Sequence, residues 1–391
     1  MKRLLPVLSL FLGLGVTAVA EARPFDGNTV YVMTNSPAGN SIAVLKRDRE
    51  GALHMNGTYL TGGIGPGAGI APATFDPLAA SDSVVLTENQ RTLIAVNAAS
   101  NQVSTMDVVG DSLRRSSLVS SGGTYPVSIA QRGSWVYVLN AGGDSNITGF
   151  RLNHDGRLLP IPGSTRSLNH FTPIVQGQAD GGRSPSNVKF SPDGKWLVVS
   201  IKNVDSLGEI QVFGVNRNGS LTPSSVITAS RDPRPFAISF DFGGHLQVVE
   251  ANAAAVSTYN IRRDGNLELI SASVLNHQRV TCWISNTPRW TFVSSSPAHT
   301  VSSYLTNPVS GTLTLSNESG IIFDPGLSST GSNPFPADMK VSLNYKYLNV
   351  ISGGFGVVDS LRINQLDGSV TRINSVQVSE PFTGLQGIAV N

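Results

Sequence analysis

A short apolar run, often led by an aromatic residue, recurs seven times along the chain: VYVMTN (30–35), LIAVNA (93–98), WVYVLN (135–140), WLVVSI (196–201), LQVVEA (246–251), WTFVSS (290–295) and YLNVIS (347–352). After each comes a turn of small residues and then an alternating stretch, such as NITGFRLN (146–153), GEIQVFGVN (208–216) or AVSTYNIRR (255–263). Most copies add a Gly turn and one more short run, as in HDGRLLPI or RRDGNLEL. A fully apolar run suits a strand buried on both faces, and an alternating run suits a half-exposed one. Gly, Asp and Asn between them supply the positive-φ positions that tight hairpins need.

Several copies open with a further strand, as in SNVKFSPDGKW (186–196) and FAISFDFGGHL (236–246). Each unit is then a four-stranded antiparallel sheet of roughly 45–60 residues, the period of propeller blades. The ends fit ring closure. LQGIAVN (385–391) looks like an innermost strand with no blade after it, and NTVYVMTN (28–35) like a second strand with none before it. Paired, they complete one blade and remove the open edge. The predicted fold is an all-β, seven-bladed propeller, and residues 23–391 are expected to form one domain. A β-sandwich or two β-domains is the alternative architecture. Three stretches rich in small residues, 61–81, 169–184 and 323–337, fall between blades and are expected to fold as loops over one face.

The N-terminus reads differently. Lys2 and Arg3 precede an apolar run from Leu4 to about Val19, and small residues follow. This is the pattern of a secretory signal peptide, taken as residues 1–22. The run is short for a membrane span, and Pro6 interrupts it. The protein is therefore expected outside the cytoplasm, secreted or periplasmic. The formal charge is +2; a cut after Ala20 removes Lys2 and Arg3 to leave zero, and a cut after Ala22 also removes Glu21 to leave +1. No basic field remains to draw in nucleic acid or an anionic membrane. One cysteine, Cys282, cannot form an internal disulfide, so stability must come from burial.

SPSNVKFSPDGKWLVVS followed by GEIQVFGVNRNGSLTP resembles the seven-bladed β-propeller lactonase family, which includes 6-phosphogluconolactonases and 3-carboxymuconate cyclases. VYVMTNSPAGNSIAVL, RPFAISFD, VVEANAAAVSTY and TCWIS look most like an exported branch of it. The resemblance implies hydrolysis or formation of a small lactone or cyclic acid at the axial face. Innermost strands in that family often open with Pro-His, whereas this chain reads SPSNVKF and PRPFAISF. Two turns, TENQRT and LNYKY, also lack the SPDG sequence.

Lactone chemistry needs a group to activate water and a cation to hold an oxyanion or carboxylate. Innermost strands begin at the axial face, and the loops after second strands point there. That placement selects Glu250 as acid or base, and Arg234, Arg183 and Lys202 as anion holders. Asp338 and His299 are further candidates, and His170 lies in an inserted loop that could fold over the face. Cys282 reads as a small buried hydrophobe. The six His are scattered and no metal motif occurs, so neither metal nor cofactor is expected. The expected partner is a small lactone or carboxylate. A protein partner remains open, and a monomer is expected. A non-catalytic propeller that binds a ligand, glycan or protein is the alternative function.

Overall fold

The computed structural model describes residues 28–71, 73–329 and 331–391. The segment read as a signal peptide lies outside them. Seven four-stranded antiparallel sheets form the blades of a propeller. We number them in chain order, with the closing blade as blade 7. Each of the seven apolar runs is the second strand of a blade, for example Thr92–Asn97, Trp196–Ile201, Leu246–Glu250 and Trp290–Ser295, and these four are buried throughout or nearly so. In blade 7 the innermost strand Ile388–Val390 pairs with Thr29–Met33, with Val30 opposite Val390 and Val32 opposite Ile388. The ring is thus zipped from both ends of the chain.

The third strands differ from expectation. Ala255–Ile261 and Thr300–Thr306 are buried over most of their length, and half-exposure falls on the outermost strands, such as Leu267–Leu275. The alternation separates two buried faces rather than core from water. One face is apolar, and the other carries small polar side chains that bond to a neighbouring strand or blade. Thr258 donates to the Gly311 carbonyl of the next blade at 2.8 Å, and buried Arg47 donates to Asn349 and Ser360 of blade 6. A buried hydroxyl with a partner costs little, so blades can stack on polar faces.

In blade 2 the stretch around Asn140 to Ser145 is one continuous strand, Trp135–Leu152. The expected small-residue turn is itself paired: Gly142 lies opposite Thr124, and Gly143 and Asp144 opposite Thr172 and Phe171.

The two turns that lack SPDG keep its geometry. In SPDG, Asp193 accepts from the Ser191 hydroxyl and the Lys195 amide, and Gly194 takes φ 72°. In LNYKY, Asn344 accepts from Ser342 and the Lys346 amide, and Tyr345 takes φ 59°. In TENQRT, Asn89 accepts from Thr87 and the Arg91 amide, and Gln90 takes φ 58°. The side-chain cap holds a non-glycine residue in the left-handed region.

The axis of the ring is plugged. Residues 76–83, the end of the first insert, cross it and are tied to blades all round. Tyr125 donates to the Pro77 carbonyl at 2.7 Å, Trp283 Nε1 to Ala80 at 2.9 Å, and Gln386 Nε2 to Ala80 at 2.8 Å. Lys202 Nζ donates to the Ala79 carbonyl, and the Ser81 amide to Ser186 at 3.0 Å. Below, the Asp82 carboxylate receives Lys189 at 2.6 Å and Lys340 at 2.7 Å, from blades 3 and 6. Burial alone would raise the Asp82 pKa, but the two lysines outweigh it and hold the carboxyl below its ordinary range. Among the described residues, no helix is long and apolar enough to cross a membrane.

Candidate functional site

Above the plug lies a pocket of about 670 Å³ at the face where innermost strands begin. All three inserts wall it: Phe75 and Asp76 come from the first, Gln178 and Asp180 from the second, Phe335 from the third. They are joined to one another. Gln178 Nε2 donates to the Ala68 carbonyl at 2.7 Å, and the Phe75 and Phe335 rings stack at 4.3 Å. The floor is completed by Cys282 and Trp283 of blade 5 and by Arg234, which precedes the innermost strand of blade 4.

Arg234 is held between Pro233 and Pro235 at φ 64°. A residue before proline is already restricted, and the left-handed region adds strain of about 1–3 kcal/mol. Its carbonyl is fixed by the Ala251 amide at 2.9 Å, and this bent backbone brings the guanidinium into the pocket wall. Buried Nε finds no hydrogen-bond partner among the described residues.

Asp76 faces the same space. Its Oδ1 accepts the Ala79 amide at 2.9 Å, the bond that starts the plug. Burial pushes this carboxyl above its usual range, and the charges of Lys202 and Arg234 offset only part of the shift. Lys202 is fully buried under the floor, and its Nζ lies 4.8 Å from the centre of the Phe236 ring. Burial and the nearby Arg234 lower its pKa, against the pull of Asp76. A carboxyl poised above its ordinary pKa beside a cation is the arrangement proton transfer near neutral pH requires.

Of the residues singled out from sequence, Arg234 and Lys202 are brought together here, though Lys202 serves the plug rather than the pocket surface. Cys282 lines the floor, and burial pushes its thiol up to about 12, so it stays protonated. Glu250 does not face the axis. Its carboxylate turns outward along blade 4 and accepts Ser257 Oγ at 2.8 Å, Ser273 Oγ at 3.2 Å and the Asp232 amide at 3.1 Å. Burial raises it to about 7. The second strand ends there with its side chain on the outward side, where hydroxyls of the third and fourth strands meet it.

Arg183 sits at the rim, spent on Asp180 at 3.1 Å and on Asp205. His170 Nε2 lies 2.7 Å from the Arg183 carbonyl, and His299 pairs with Asp324 at 3.0 Å; neither lines the pocket. Asp338 is buried beside the plug, its Oδ2 unpartnered among the described residues. Burial raises it to about 7.

Sequence reasoning missed Asp76. The available signal was that it is the only charged residue between Thr61 and Ser81.

Residues 161–285 match the family described as Lactonase, 7-bladed beta-propeller. The chain resembles the seven-bladed lactonase propellers. Among solved structures, a Bacteroides fragilis protein provisionally named a 6-phosphogluconolactonase superposes with a TM-score of 0.70 at 19% identity, covering 94% of this chain and 98% of its own. The periplasmic gluconolactonase of Pseudomonas aeruginosa gives 0.67 at 16% identity over 92% of this chain and 98% of its own. A protein from Lactobacillus plantarum gives 0.69 at 15% identity over 93% and 99%. At such identities the likeness shows a shared fold. No curated protein matches the sequence.

Proposed function

We propose that this lactonase-type propeller hydrolyses a small lactone, or catalyses the reverse closure, in the axial pocket. The observation that carries the reading is a carboxyl of raised pKa, Asp76, beside a strained and incompletely bonded Arg234 on one pocket floor. In hydrolysis, Asp76 takes a proton from the attacking water, and the water oxygen bonds to the lactone carbonyl carbon. Arg234 stabilises the oxyanion. The ring C–O bond then breaks, and the proton held on Asp76 passes to the leaving alkoxide, giving a hydroxy acid. Lys202 is a positioning residue. It holds the plug, and its charge restrains the Asp76 pKa.

The apolar leader of residues 1–22 supports export, and the Pseudomonas aeruginosa relative is periplasmic by its name. Sequencing the N-terminus of the mature protein should begin at Glu21 or Arg23.

Proton release from a panel of γ- and δ-lactones tests the reaction. Wild type should turn over at least one member, and Asp76→Asn should lose about 10²–10⁴ in rate. Lactones that bind and return intact would favour the alternative, a propeller that binds without catalysis.

A further inference from the structure

Apart from Asp76 and Arg234, most of the pocket's polar side chains already carry a hydrogen bond. Gln178 Nε2 is bonded to the Ala68 carbonyl. Asp180 takes the Gly182 amide and Arg183, and Ser296 Oγ donates to the Pro336 carbonyl at 2.5 Å. The indole N–H of Trp283 is used on the plug, so the ring offers the pocket only apolar surface. Among the described residues Arg234 is the one cationic side chain in the lining, with Lys202 sealed beneath it. The rest of the wall is aromatic and aliphatic, from the stacked Phe75 and Phe335 to Val175, Val204 and Val280. Val175 and Val204 remain 42% and 37% exposed at the mouth, where a ligand would cover them.

A polyhydroxylated sugar lactone placed here would leave the hydroxyls that do not reach Asp76 or Asp180 without partners, each costing about 1–3 kcal/mol. A phosphorylated one would bring two negative charges to a single cation. An apolar chain meets no such penalty, and about 670 Å³ lies within the range of roughly 300–1,000 Å³ that takes drug-sized ligands.

We infer that the substrate is a lactone bearing an alkyl or aryl substituent, its carbonyl at Arg234 and its substituent against the Phe75–Phe335 wall. This rests on the axial pocket being the lactone site.

Binding and turnover separate the two claims. Calorimetry on the full mature protein would use δ-valerolactam and its 6-propyl and 6-pentyl derivatives, which carry the same ring carbonyl and resist hydrolysis. Affinity should rise roughly fourfold per methylene until the pocket fills. D-gluconolactam should bind far more weakly than the 6-pentyl lactam. Val175→Ser and Val204→Ser lie on exposed positions and should fold normally. Together they should weaken the 6-pentyl lactam several times more than the parent ring. Affinity independent of chain length, or tighter binding of the sugar lactam, overturns the inference. Chain-dependent binding with no turnover of the matching lactones leaves only the preference for an apolar ligand standing and overturns the hydrolase reading.

Discussion

Asp76 and Glu250 are both acidic groups with raised pKa values, and their surroundings give them different parts. Asp76 opens onto a pocket beside a cation, whereas Glu250 is enclosed by hydroxyls inside a blade. The rate of lactone turnover should rise with pH along a limb displaced above the ordinary carboxylate value of about 3.9. Lys202→Met removes a charge that restrains Asp76, so that limb should move to higher pH; an unmoved limb in a folded variant would contradict the coupling. Glu250 predicts a stability effect instead. Its ordinary pKa is 4.5 and its folded value about 7, so the folded state holds a proton that the unfolded chain has released between those values. Stability should fall as pH rises through that window, by at most about 3 kcal/mol from this group. Denaturant midpoints of Glu250→Gln should lose this part of the slope.

At the scale of elements, the plug organises the site. It seals the ring's axis, places Asp76 on one side and sets Asp82 between two lysines on the other. Trp283→Phe deletes one donor to the Ala80 carbonyl, which keeps its bond from Gln386. The cost should exceed the roughly 1 kcal/mol of one hydrogen bond, because the smaller ring also leaves a void, and it is readable as a fall in Tm with little change in fold. Blade strands were legible because an apolar run buried on two sides has a simple pattern, and all seven were found by it. The plug was not legible, since its conformation is fixed by partners far away in sequence. Ala79 and Asp82 even take positive φ, which local preference disfavours. Arg234 could be picked out because it starts an innermost strand. Glu250 was misread because alternation tells which residues share a face, but not which buried face meets the axis.

Across the whole molecule, closure rests on the pairing of Thr29–Met33 with Ile388–Val390, flanked by the Met33 amide on the Gly387 carbonyl at 2.9 Å and the Asn391 amide on the Thr29 carbonyl at 3.1 Å. Gln386, just before that last strand, also holds the plug at Ala80 and accepts the Leu78 amide at 3.1 Å. Ending the chain at Leu385 should therefore open the ring and loosen the plug together. The truncated protein should lose its cooperative thermal transition and aggregate through the freed edge of Thr29–Met33. A truncated chain that melts like the full one would show that closure contributes little.

That the axial pocket, and not the carboxylate inside blade 4, does the chemistry has a direct consequence. It is tested most directly by assaying Asp76→Asn and Glu250→Gln side by side on one lactone that wild type turns over. Asp76→Asn should lose about 10²–10⁴ in rate, and Glu250→Gln should keep near wild-type rates at neutral pH. The reverse pattern, with Asp76→Asn active and Glu250→Gln inactive though folded, would contradict it.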